Sequence, residues 1–154
     1  MLSLTWLLWL IALGVGWHHD AIALALVVGG TLTVAATGVK LLFAGRLLSR
    51  LWFAFTLMAF AALLIQLGHG ETEYHFSVFV LLSALLAWRD WRPLLTAAAT
   101  AAVHHALFNY LQERDLFGIV CFMHPGFHMV VFHALLVVAK TAVLVVMEVR
   151  MAQA

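Results

Sequence analysis

Nine histidines in 154 residues, against seven acidic side chains and one cysteine, set the chemistry open to this chain. Imidazole is a ligand for Zn, Cu, Fe and Ni, and a glutamate beside three histidines makes a donor set for Zn or non-haem Fe. Two histidines on facing helices can instead ligate haem b. The residues that stand out for such a role are Glu73, His75, His105 and His133, with His69, His104 and His128 behind them. His104 and His105 are adjacent, so about 100° of helical rotation separates them, and His105 is the one favoured for a shared site. His128 and His133 are five apart and point in different directions. Cys121, Met123 and Met129 are soft donors of the kind Cu(I) takes, although Met is also common filler in apolar helices. Cys121 has no second cysteine for a disulfide or a CxxC motif.

Composition decides what kind of element must hold these residues. The chain is 66% hydrophobic and 10% charged, where soluble domains average about 45–50% and about 25%. A lipid bilayer is therefore the expected solvent. A net charge of +1 supplies no basic surface, which excludes nucleic acid as a partner. Crossing the hydrocarbon layer takes roughly 20 helical residues. The sequence divides into six such pieces, Leu2–Trp17, Asp20–Phe43, Leu51–Leu67, Glu71–Trp88, Pro93–Leu111 and Phe127–Glu148. They predict an all-α, polytopic helix bundle forming a single transmembrane domain over 1–154. Met1–Trp17 has no basic leader or small-residue cleavage site and is counted as a retained span.

Orientation comes from the loops, because Lys and Arg near span ends stay in the cytoplasm. Arg46 and Arg50, then Arg89 and Arg92, then Arg150 mark the inner ends, and both termini are predicted inside. The turn Arg89-Asp90-Trp91-Arg92-Pro93 predicts a hairpin with Asp90 as cap and Pro93 in the first helical turn. Lys40 and Lys140 can snorkel to the inner interface. All nine histidines then fall in the outer half, with His18, His19 and His124 in solvated positions.

Depth follows from the helical rise. His105 lies six residues below Leu111 and His133 six below Phe127, which puts both ~9 Å under the outer surface. His75 is four residues into its span with Glu73 just above it, so three imidazoles and a carboxylate converge on one layer. Ionisable groups at that depth are costly unless they bind something or face a polar interior. The run Leu95–Ala102 supplies a small-residue face for close helix packing.

The segments Gly68-His69-Gly70-Glu71-Thr72-Glu73-Tyr74-His75-Phe76-Ser77-Val78-Phe79, Ala87-Trp88-Arg89-Asp90-Trp91-Arg92-Pro93 and Ala102-Val103-His104-His105-Ala106-Leu107-Phe108-Asn109-Tyr110-Leu111-Gln112 carry a resemblance. The chain resembles, over essentially all six spans, the N-terminal membrane sensory region of bacterial signal transducers. In those proteins the region precedes methyl-accepting chemotaxis signalling domains, histidine kinases or diguanylate cyclases. The resemblance implies an inner-membrane signal input module whose recurring polar positions fall on Glu73, His75, His105 and His133. It departs at Ser77, where relatives often have a second histidine, and at Lys140, where many have an acidic residue. A homodimer is the implied state.

The resulting expectation is a sensor. A transition metal or haem b, held by histidines at the outer helix ends, would shift helix packing, and the sixth helix would convey the change to a cytoplasmic signalling domain or partner. An intramembrane zinc hydrolase, with Glu73 as general base, is the alternative. A proton or metal conduit is disfavoured, because the inner halves offer little beyond Lys40, Lys140 and Thr141.

Overall fold

The computed structural model describes residues 1–153, which form six helices and no strand. They are α1 (Leu2–His18), α2 (Ile22–Phe43), α3 (Leu47–Leu67), α4 (Thr72–Ala84, continued by a 3₁₀ turn Leu85–Trp88), α5 (Trp91–Gln112) and α6 (Phe127–Gln153). The six elements lie where the apolar pieces predict them. Their ends run longer where polar residues join a helix: α3 begins before Ser49 and Arg50, and α6 continues past Glu148.

Three helices, α2, α3 and α6, are long and apolar enough to cross a membrane. The first and fourth apolar helices, Leu2–His18 and Thr72–Trp88, are shorter. In α5 the residues Thr96, Thr100, His104, His105 and Asn109 dilute an otherwise apolar 22-residue helix.

Helix α3 is the centre of the bundle. It packs against α1, α2, α4 and α5, while α6 lies against α5. The main core joins Leu57, Phe60, Leu64 and Ile65 of α3 to Leu8 of α1, Leu82 of α4, Leu94 and Ala97 of α5, and Leu144 of α6. A π turn at Ala25–Gly29 loosens the ladder of α2, and the Trp9 indole Nε1–H donates to the Ala25 carbonyl at 3.2 Å.

The bundle has two chemically distinct ends. At the arginine end, Asp90 caps α5 by accepting from the Arg92 backbone N–H at 3.1 Å. Its carboxylate also meets Arg50 of α3 at 2.7 Å and the Arg92 Nε at 2.9 Å. The Arg92 guanidinium holds the Asp90 carboxyl below the usual carboxylate range, an effect of the hydrogen bond that outweighs its burial. The opposite, histidine end carries the connections His19–Ala21, Gly68–Glu71 and the long segment Glu113–Gly126.

Candidate functional site

Three helices bring one histidine each to a common point. His75 on α4, His105 on α5 and His133 on α6 each offer a ligand nitrogen, and these nitrogens all lie within 4.8 Å of one another. Ring centroids are 5.4 Å apart for His75 and His105, 5.0 Å for His75 and His133, and 5.4 Å for His105 and His133. His75 and His105 are buried and His133 is half-buried.

The local bonding of the three rings is the same. Each Nδ1 sits at hydrogen-bond distance from the carbonyl four residues back on its own helix: His75 to Glu71 at 3.1 Å, His105 to Ala101 at 2.8 Å and His133 to Met129 at 2.9 Å. A carbonyl only accepts, so Nδ1 carries the proton and donates, and Nε2 is left with the lone pair. That arrangement fixes tautomer and ring orientation in metal-ligating histidines. The Nε2 of His75 is fully buried and has no hydrogen-bond partner.

Phe122 covers the three rings. It stacks on His75 with planes 7° apart and centroids 5.4 Å apart, and lies 5.5 Å from His105 and 4.9 Å from His133. Side-chain amides at the helix ends hold the covering segment down. Gln112 accepts from the backbone N–H groups of Cys121 and Phe122 at 2.8 and 3.0 Å and donates to the Phe122 carbonyl at 2.7 Å. Gln66 accepts from Val120 N–H at 2.8 Å and donates to the Gly118 carbonyl at 3.0 Å. Asn109 accepts from Gly126 N–H at 2.8 Å. Gly70 completes the closure: it takes φ +76°, and an added Cβ there would lie 2.7 Å from the Phe122 carbonyl carbon.

Access is from the histidine end. A cavity of about 150 Å³ lies against His75, His133, Phe122 and Met129, with the exposed Met123 and His124 also on its wall. Room on that scale admits water or a small anion beside a bound ion. Beside His105 and His133 the lining is apolar, formed by Ala101, Ala134 and Val137.

The other predicted residues are distributed as follows. Glu73 is exposed on α4 and belongs to no group of converging ligands among the described residues. His69 is exposed, with φ 52°, and meets the ring of His19 edge-on at 5.2 Å. The Nε2 of His19 is 3.3 Å from the Tyr74 hydroxyl. His128 is exposed next to Gly126. His104 is buried beside His105, its ring 4.3 Å from that of Phe108, and belongs to a second converging group with His105 and Cys121. Cys121 is fully buried, and burial pushes its thiol up to about 12.

Sequence reasoning missed Phe122 and the clasping roles of Gln66, Asn109 and Gln112. The signal for the amides was present, since polar side chains at or below the outer ends of apolar helices need partners. Compared with protein-family models, curated proteins and solved structures, the chain matches none of them.

Proposed function

We propose that this chain is a six-span protein of the bacterial inner membrane that binds a transition-metal ion on His75, His105 and His133 and serves as a signal input module. The arginine end lies in the cytoplasm, by the bias of Arg46, Arg50, Arg89, Arg92 and Arg150. The observation that carries the metal seat is the shared bonding of the three imidazoles, each with Nδ1 spent on its own helix and Nε2 left as a donor to an ion. Zn–N bonds of about 2.0–2.1 Å would fix the spacing of the three rings, and with them that of α4, α5 and α6. An ion with higher affinity for one arrangement of these helices than for another would shift the bundle towards it. The cavity beside His75 and His133 would admit water or an anion as a further ligand.

A bare ion fits this geometry better than haem b, which needs two imidazoles on opposite faces of a flat macrocycle. Here the rings converge on one another beneath Phe122. Zinc hydrolysis would need a general base at the ion, and Glu73 is exposed and outside the group. The test is elemental analysis for Fe, Cu and Zn together with visible spectra of the detergent-purified protein, oxidised and reduced. One colourless metal ion per chain, lost in His105→Ala and His133→Ala, is expected. A Soret band would replace the ion with haem, and a protein that takes up neither sinks the proposal.

A further inference from the structure

We propose that His104, His105 and Cys121 form a second metal seat, of soft nitrogen and sulfur donors, that takes a monovalent cation of the Cu(I) class. The three residues are all buried, and each offers a ligand atom within 4.8 Å of the others. The cysteine does not stand alone as evidence. The Nε2 of His104 is fully buried without a hydrogen-bond partner, in a residue only 9% exposed. An orphaned ring nitrogen at this depth is costly unless something binds it.

Neighbouring residues hold the donors in place. The Cys121 backbone N–H is bonded to Gln112 at 2.8 Å, so a side chain at the end of α5 positions the sulfur. The Phe108 ring leans on His104. A site this dry suits an ion that accepts few ligands and sheds its water readily, and thiolate selects Cu(I) among the metals imidazole also binds. Charge points the same way. The thiol proton leaves to water as the sulfur–metal bond forms, and one thiolate with two neutral imidazoles cancels a single positive charge. A divalent ion would leave an uncompensated charge in the same place.

His105 is common to both groups, and with its Nδ1 proton donated to the Ala101 carbonyl at 2.8 Å it has one free nitrogen, so it can complete one seat or the other but not both at once. The seat does not depend on the three-histidine reading, and its test separates the two. Anaerobic Cu(I) titration against a chromogenic chelator would be run on the full chain in detergent, recording ultraviolet thiolate-to-metal absorption, which a methionine thioether does not produce. In the double variant His75→Gln with His133→Gln, which keeps the second seat alone, one Cu(I) per chain and the thiolate band are expected. The band should vanish in Cys121→Ser, and affinity should fall at least about tenfold in His104→Gln, while both single variants still bind Zn. Wild-type protein that binds Cu(I) without a thiolate band overturns the proposal, whatever the variants' folding. So does Cys121→Ser protein with wild-type Cu(I) affinity.

Discussion

At the arginine end the Asp90 carboxylate takes bonds from two guanidinium groups, those of Arg50 and Arg92. At the histidine end His75, His105 and His133 have each spent one ring nitrogen, Nδ1, on a carbonyl of their own helix. The first arrangement fastens α3 to the α4–α5 hairpin. The second leaves the His75 Nε2 buried without a partner, and buried polar atoms without partners cost free energy. The two polar clusters of one apolar bundle thus differ: in one the side chains bond to each other, in the other each ring bonds only to its own helix.

The largest effect should come from removing a ligand. His105→Ala takes away the residue common to both converging groups, and metal affinity should fall more than about 100-fold, beyond the 10–100-fold typical of residues that only orient a ligand. Equilibrium dialysis would measure it. A variant that keeps its metal would show that the two ends do not differ in the way described.

Next is the mirror experiment. Asp90→Asn removes the shared acceptor of two arginines, and unfolding stability should drop by about 1–3 kcal/mol, since Arg50 and Arg92 are partly solvated. Metal affinity should stay unchanged. The same carboxylate has a pH signature. Its folded pKa is depressed, so its contribution is present above the unfolded value of about 3.9 and is lost as pH falls through the lower folded value. Wild-type protein should therefore lose stability in that acid range and Asp90→Asn should not, as thermal melts at stepped pH would record.

How much of this was legible in the sequence depends on whether depth or azimuth is asked for. Depth along a helix is a count of residues, and counting brings His75, His105 and His133 to one level. Azimuth is harder. Glu73 precedes His75 by two residues, about 200° round the helix, and so it faces away from the ring it was paired with by depth. His104 points elsewhere than His105, yet it too is covered, by the Phe108 ring of its own helix and by the Cys121 segment. The position of Phe122 was not legible at all. It depends on Gln66 and Gln112 reaching a loop with no periodic pattern of its own, and the Gln66 bond to Val120 spans 54 residues. The Asp90 cap was legible because its chemistry is local.

Gly70 tests the covering segment with a smaller effect. Alanine there is strained at φ +76° and its Cβ collides with the Phe122 backbone, at a cost of about 1 kcal/mol or more. Gly70→Ala should lift Phe122 off the rings, weaken metal binding about tenfold through faster release, and speed alkylation of Cys121. Alkylation at the wild-type rate would mean the segment closes without Gly70.

Smallest, and opposite in sign, is Glu148. This carboxyl is 1% exposed with neither oxygen hydrogen-bonded, near enough to Asp90 and Arg89 to sense their charge. It is a polar group at the arginine end that the fastening leaves out. Glu148→Leu should therefore raise stability by about 1 kcal/mol in a thermal melt. A loss would mean that Glu148 pairs with Arg89 and belongs to the fastening after all. A gain has a consequence for signalling, because His133 and Glu148 share α6, 15 residues and ~22 Å apart. If an ion binds His133 as proposed, an unpaired carboxyl at the other end would anchor α6 only weakly and leave it free to shift along the bundle.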